Sequence, residues 1–521
     1  MCIFVIRMMK RFLFLFLSLS LFLLGSTMYA QTRAQDLVDK LSREEPLQSA
    51  SWGVLAVRAN GDTLACYQHR VRRVPASNVK LITTGAALLK LGGEFRFETA
   101  LAYSGTVADS TLRGDLYIIG GGDPTLGSDD GIPSDSLFRQ WTGMLEAAGI
   151  REIDGYVIGD GRLFPGDLER VSWNYDDIGT YYAPGGNGLS WHENTLDVRI
   201  EAGDSVGAPI RITPVTPAET PWLRTRNFAV TGPRQSKNTV LLFTTDLSPE
   251  AEWRGSFPID RKPHLTSVAN KYGSLSLAYA FCAYLEQAGI GVIDGPADID
   301  RDGRIRDFRT AAEESFGPRW IAQPADSLTR IGVSQSPKLR DIARWTQSRS
   351  DNFYAEALLR AIGLKVKGSG AYEDALAAEK TVLSNLGAAP GTGAKLDDGS
   401  GLSRLNYVSP DYYVRFLRAV WKSSARVDFL ESLPRAGATG STLETMFPKK
   451  DRALKNRFRM KSGSMNGVLC YSGYILPSSG STASGADIIT FSILTNNASV
   501  NAAKMRPILE EILLALAQEN E

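Results

Sequence analysis

Three short polar signatures stand in a fixed order along this chain of 521 residues: Ser77-Asn78-Val79-Lys80, Ser350-Asp351-Asn352 and Lys461-Ser462-Gly463. More than half of the chain separates the first two. One cleft loop does not need that much chain, so whatever unit unites the signatures is interrupted by an insertion. Each signature alone is weak, because a chain of this size holds roughly one Ser-x-x-Lys by chance. Together they describe a serine acyl-transfer site built without histidine.

A serine hydroxyl is a poor nucleophile and needs a base. His69, His192 and His264 have no triad context. Lys80 offers the alternative. A helix is expected over residues 77–91, with Val79, Leu81, Ile82, Ala86, Leu88 and Leu89 facing the core and Gly92-Gly93 ending it. Ser77 and Lys80 then share one face. An ordinary lysine titrates near ~10.4 and useful base chemistry wants ~7 to 8, a difference worth roughly 4 kcal/mol. Burial and a second cation supply it, and Lys461 is the expected cation. Lys461 follows an alternating strand over residues 457–460 and is expected to point into the cleft where a substrate carboxylate lies. Gly463 is expected to leave room for a substrate strand against that sheet edge. Ser350-Asp351-Asn352 also reads as the N-cap of a helix over residues 353–360.

The chain resembles the D-alanyl-D-alanine carboxypeptidase/endopeptidase family, the low-molecular-mass class C penicillin-binding proteins. Beyond the three signatures, the resemblance rests on Gly114-Asp115-Leu116-Tyr117, the run Gly120-Gly121-Gly122-Asp123-Pro124-Thr125-Leu126, the stretch from Asn187 to Val198, and Asp398-Gly399-Ser400-Gly401-Leu402-Ser403-Arg404. It implies an α+β penicillin-binding/serine β-lactamase-like transpeptidase fold, helices packed on an antiparallel sheet, with a mostly β insertion. It implies that Ser77 attacks the D-Ala-D-Ala carbonyl of a peptidoglycan stem peptide and that β-lactams trap Ser77 covalently. Ser350 would relay a proton to the departing amine, Asn352 would orient the peptide group, and the N–H groups of Ser77 and Ser464 would form the oxyanion hole. The family usually has Lys-Thr-Gly where this chain has Lys-Ser-Gly; Ser462 keeps the hydroxyl and loses a methyl. Asp160, Arg404 and Asn466 are carried by the resemblance as readers of the peptide's polar side chain. A serine β-lactamase, or a non-catalytic cell-wall-binding protein on the same fold, are the rival readings. A class A lactamase needs a Glu-x-x-x-Asn-type loop after the second signature, and neither Glu373 nor Glu379 provides one.

Composition narrows the rest. Lys plus Arg total 58 against 57 Asp plus Glu, so no global field points to nucleic acid. Arg7, Lys10 and Arg11 precede an apolar run from Phe12 to Leu24, then Gly25, Ser26 and Ala30. That run is short of the roughly 20 residues a spanning helix needs, so residues 1–30 read as a cleaved signal peptide of an exported protein. Cys66, Cys282 and Cys470 would remain after its loss, an odd and widely spaced set that reads as buried small apolar side chains. No HExxH, paired CxxC or GxSxG is present, and no metal or cofactor is implied. The last helical pattern, with Met505, Ile508, Leu509, Ile512, Leu513 and Leu516, also carries Glu510, Glu511 and Glu519. It is expected to pack on a sheet, leaving at most peripheral membrane association.

A discontinuous catalytic unit of residues 31–98 and 267–521 is expected around an inserted region of 99–266. The resemblance suggests two subdomains there, 99–166 with 245–266, and 167–244. Short strands at 116–119, 156–158, 196–200 and 239–243 make the insertion mostly β. Strands at 51–57, 63–67, 468–476 and 488–495 and helices at 275–287 and 337–349 are expected in the catalytic unit. Oligomeric state has no sequence signal.

Overall fold

The computed structural model describes residues 32–217, 219–299, 302–309, 317–478 and 488–519. The expected leader and most of the Ser/Gly-rich connection after Pro477 lie outside the described residues. At the centre is a five-stranded antiparallel sheet in the order Thr63–Tyr67, Ser51–Arg58, Ile489–Asn496, Val468–Ile475, Phe458–Met465. The two ends of the described chain therefore pair side by side.

Val468–Ile475 and Ile489–Asn496 are buried at every position, which requires cover on both faces. Period-two alternation sends Leu469, Tyr471 and Ile493 to one face, where Ala502–Gln518 supplies Met505, Leu509, Ile512 and Leu516. Val468, Cys470 and Leu494 face the opposite layer, built on Val79–Leu91, Leu339–Arg349, Asn352–Lys367 and Pro410–Trp421. Each fully buried Leu or Ile here contributes roughly 1.5–3 kcal/mol. This is the α+β fold expected, helices on an antiparallel sheet. One detail differs. Val79–Leu91 is buried without a break from Val79 to Leu88, where a one-sided stripe was expected. The helix runs through the middle of the helical layer, against the helices that follow Leu339, Asn352 and Tyr372, so it has no solvent face to keep polar.

The intervening chain builds a seven-stranded mixed sheet in the order Gly317–Ala322, Ile305–Arg309, Gly295–Ile299, Tyr156–Asp160, Leu116–Ile119, Glu98–Tyr103, Thr329–Gln335. Tyr156–Asp160 runs parallel to both Leu116–Ile119 and Gly295–Ile299. Parallel neighbours need long crossovers, which helices Ser134–Ala147 and Gly273–Gln287 supply. They cover the sheet with Leu137, Phe138, Trp141, Phe281 and Leu285. A smaller β unit contains His264–Ala269, Thr195–Glu201 and Arg211–Thr216 in one sheet and Arg224–Asn227, Ser248–Arg254 and Leu241–Thr245 in another, around Val198, Ile200, Trp253 and Phe257.

This topology corrects the expected boundaries. A return to the catalytic unit near Ser267 falls inside the insertion, because helix Gly273–Gln287 and the strands through Gln335 belong to the seven-stranded sheet. Residues 245–266 belong with the smaller β unit and not with 99–166. The chain rejoins the helical layer of the five-stranded sheet at Leu339. Among the described residues, no helix is long and apolar enough to cross a membrane.

Candidate active site

Ser77 sits in a single 3-10 turn, Ala76–Asn78, that runs directly into helix Val79–Leu91. Ala76 has φ 47°, the left-handed region, which turns the chain sharply before the serine. Two glycines clamp this turn. A Cβ on Gly463 would lie 2.4 Å from the Pro75 carbonyl oxygen, and one on Gly401 would lie 2.0 Å from the Ala76 oxygen. The face of Gly463 is covered by the protein's own serine turn, while its strand Phe458–Met465 is the edge of the five-stranded sheet.

Lys80 is fully buried. Its Nζ lies 3.0 Å from Ser77 Oγ and donates to Asn352 Oδ1 at 2.5 Å and to the Ser400 carbonyl at 2.7 Å. A neutral amine has two N–H bonds and one lone pair. The two carbonyl acceptors fix both N–H bonds and leave the lone pair toward Ser77, the arrangement a base needs. Burial lowers the Lys80 pKa from 10.5 to about 8, while Asp398, Asp351 and Glu356 pull the other way. With that value about one amine in ten is neutral at pH 7. The expectation that Lys461 depresses Lys80 is corrected: burial does it, and the repulsion between the two amines falls on Lys461, held well below its ordinary value by burial and then by Lys80.

Lys461, equally buried, donates to Ser350 Oγ at 2.9 Å and to the Ser462 carbonyl at 2.7 Å. Ser350 closes helix Leu339–Arg349 in the left-handed region, φ 64°, and Asp351 opens helix Asn352–Lys367 by accepting the Tyr354 N–H at 2.9 Å. The abrupt junction of two helices aims Ser350 at the third signature. The expected N-cap is present on Asp351. Asn352 lines the cleft and also braces it: its Oδ1 takes Lys80 and one Nδ2 hydrogen goes to the Tyr182 carbonyl at 2.8 Å.

The Ser400 carbonyl is held in place by carboxylates behind it. Glu356 accepts the N–H of Ser400 at 2.7 Å, and Asp398 accepts those of Gly401 at 2.7 Å and Ser403 at 2.6 Å. Burial pushes the Glu356 carboxyl up to about 7 and raises that of Asp398.

All three signatures open on one cleft of about 930 Å³, lined by Ser77, Ser350, Asn352, Ser462, Ser464, Arg404 and Asn466 among others. Ser462 Oγ donates to Thr442 Oγ1 at 2.8 Å, and Arg404 donates to the Asn466 carbonyl at 3.0 Å. Ser464 is exposed to the cleft. Asp160 is not brought there. It ends strand Tyr156–Asp160, and its carboxylate is taken by Arg162 through Nε at 2.9 Å and Nη2 at 2.7 Å. His192 pairs with Asp197 at 3.1 Å and serves no serine.

The insertion contributes lining that sequence reading missed: Asn174, Asp176, Asp177, Tyr181, Tyr182 and Glu193. The local signal was a run from Trp173 to Tyr182 with paired carboxylates and aromatics inside a turn-rich stretch. Arg349, next to the second signature, was also passed over.

Comparison with known proteins agrees with this geometry. The chain matches the D-Ala-D-Ala carboxypeptidase 3 (S13) family over residues 34–301 and 320–518. A D-alanyl-D-alanine carboxypeptidase of Actinomadura sp. is 28% identical over 486 residues, covering 90% of this chain and 82% of that protein. The crystal structure of penicillin binding protein 4 from Haemophilus influenzae superposes with a TM-score of 0.75 at 22% identity, covering 92% of this chain and 98% of the other. The same protein complexed with a β-lactam superposes with a TM-score of 0.69 at 22% identity, covering 94% and 99%.

Proposed function

This chain belongs to the D-Ala-D-Ala carboxypeptidase 3 (S13) family, and we propose that it performs that family's serine chemistry through an acyl-enzyme on Ser77. It is a serine D-Ala-D-Ala carboxypeptidase acting on peptidoglycan stem peptides. Ser77 Oγ attacks the carbonyl carbon of the penultimate D-alanine as its proton passes to the lone pair of Lys80 Nζ, and the backbone N–H groups of Ser77 and Ser464 receive the developing oxyanion. The peptide C–N bond then breaks. Ser350, held by Lys461, relays the proton that Lys80 accepted to the departing amine, so that Lys80 is neutral again, and Lys461 pairs with the terminal carboxylate. Water attacks the ester as Lys80 takes its proton, and Lys80 returns that proton to Ser77 Oγ as the ester bond breaks. Cleavage of a crosslink is the same reaction with a larger leaving group, which the open cleft admits.

The reading places the catalytic unit in two stretches, the chain before about residue 98 and the chain from about Leu339 onward, with the insertion forming one wall of the cleft. It also places the protein outside the cytoplasm after loss of residues 1–30, where its substrate is found.

One observation carries the proposal: Ser77 and Ser350 line a single cleft, and each hydroxyl lies within 3.0 Å of a different buried lysine. Intact-mass measurement after incubation with a penicillin tests it. A persistent adduct of one penicillin that disappears in Ser77→Ala is expected; an adduct that survives the substitution places the nucleophile elsewhere.

A further inference from the structure

One wall of the cleft carries an acid that the acyl-transfer steps leave without a task. Glu193 lies in the turn His192–Asn194, whose three residues have φ of 51°, 53° and 52°, a left-handed run without a glycine that costs on the order of 1–3 kcal/mol per residue. The turn is held there. Asn194 Oδ1 accepts the Trp191 N–H at 3.3 Å, its Nδ2 donates to the Gly185 carbonyl at 3.1 Å, and a Cβ on Gly273 would come within 2.0 Å of Asn194 Oδ1.

The strained turn presents Glu193 Oε1 to the Tyr354 hydroxyl at 3.0 Å. The same hydroxyl lies 3.0 Å from Asp130 Oδ2. A phenol has one hydrogen, so two bare carboxylates cannot both be satisfied at these distances. One must be protonated. Asp130 is the ion-pair partner of Arg349, whose guanidinium also sits 5.6 Å from the centre of the Tyr354 ring, whereas among the described residues Glu193 has no such cation on its carboxyl. The proton therefore belongs to Glu193, which donates to the phenol oxygen while the phenol donates to Asp130.

This relay ends on both sides of Ser350. Arg349 precedes it, and Tyr354 takes its N-terminal cap from Asp351, which follows it. Resting on the proposed Ser77 reaction, we infer that Glu193 is a positioning residue for Ser350, bracing the helix junction while its carboxyl is protonated and loosening it when the carboxyl ionises. The charged groups that face it are Asp351, Arg349 and Asp130, with Lys80 acting on Asp351. Burial first, then Asp351, raises the Glu193 carboxyl to about 7. Ionisation would set Glu193 and Asp130 against each other for one phenol hydrogen and draw Arg349 away from its present partner.

The test is the second-order rate of penicillin acylation from pH 5.5 to 9.5. Glu193→Gln keeps a donor toward Tyr354 at every pH. Its rate relative to the native protein is expected to be near one at the acid end and to climb at least threefold by pH 8.5. Asp130→Asn, which removes the competition for the phenol hydrogen, is expected to show the same climb relative to the native protein whatever its basal rate. A ratio to the native rate that stays constant across the range for Glu193→Gln, or for both variants, overturns the inference. Neither result touches the Ser77 assignment, which fails separately if Ser77→Ala still forms the adduct.

Discussion

Lys80 and Lys461 are both fully buried and each touches a serine hydroxyl, yet they keep different company. Lys80 has Asp398, Asp351 and Glu356 acting against its burial, and its pKa settles at about 8. The charge acting on Lys461 is Lys80 itself, and it stays well below its ordinary value. Burial lowers both amines; the buried carboxylates behind Lys80 offset part of that loss, whereas Lys80 itself pushes Lys461 further down. One amine is tuned to exchange a proton. The other is the more reluctant to carry charge before an anion arrives.

The sharpest way to break this contrast is a paired substitution. Lys80→Arg leaves a cation that cannot act as a base, and penicillin acylation is expected to fall roughly 10³-fold with the melting transition retained. Lys461→Arg keeps a donor for Ser350 and a charge for the carboxylate, so a loss of roughly tenfold is expected. Equal losses would erase the distinction between the two amines.

A second experiment addresses the charge on Lys461. If Lys461 gains its proton from solvent when a substrate carboxylate enters, binding of a stem peptide to Ser77→Ala at pH 8 takes up close to one proton. Calorimetry in buffers of different ionisation enthalpy measures this, and Lys461→Met should remove the uptake. No uptake in the Ser77→Ala protein would mean that Lys461 is already charged.

The carboxylates behind Lys80 offer the finest test. In a Glu193→Gln background the acylation rate should rise with pH around 8, and Asp398→Asn should move that rise to the acid side by removing a group that holds the proton on Lys80. Glu379 is a fully buried neighbour whose carboxyl burial pushes from 4.5 up to about 8. Its proton is bound more tightly in the folded state, so it costs nothing below pH 4.5 and destabilises progressively as pH rises toward 8. Glu379→Gln should leave the rate profile in place and flatten that decline in thermal stability, an effect of up to about 5 kcal/mol by pH 8. A shifted rate profile would place Glu379 among the groups that tune Lys80.

What was legible in the sequence was local. Ser77 and Lys80 lie three residues apart, Asp351 caps its own helix, and a continuous apolar run marked strands such as Val468–Ile475. What was not legible depends on distant pairing. The strands from Gly295 to Gln335 are short, and Gly317–Ala322 is buried at none of its positions, so no hydrophobic run announces that they complete the sheet begun at Glu98. Helix Ser134–Ala147 was passed over although parallel pairing of the strands on either side of it demands a crossover. Asp160 was misplaced because Arg162, two residues on, claims its carboxylate. Glu193 could not be found at all, since nothing in the chain's order places residue 193 beside Tyr354.

The pairing of Ser51–Arg58 with Ile489–Asn496 has a consequence for biosynthesis. A ribosome emits the first hairpin long before the strand it must lie against, and the edge carrying Lys461 arrives almost as late. Until then Ser77 stands on a turn whose clamping glycines, Gly401 and Gly463, have yet to be made. A nascent chain is thus catalytically mute through most of its synthesis, and hydrolytic competence arrives abruptly with the closing strands.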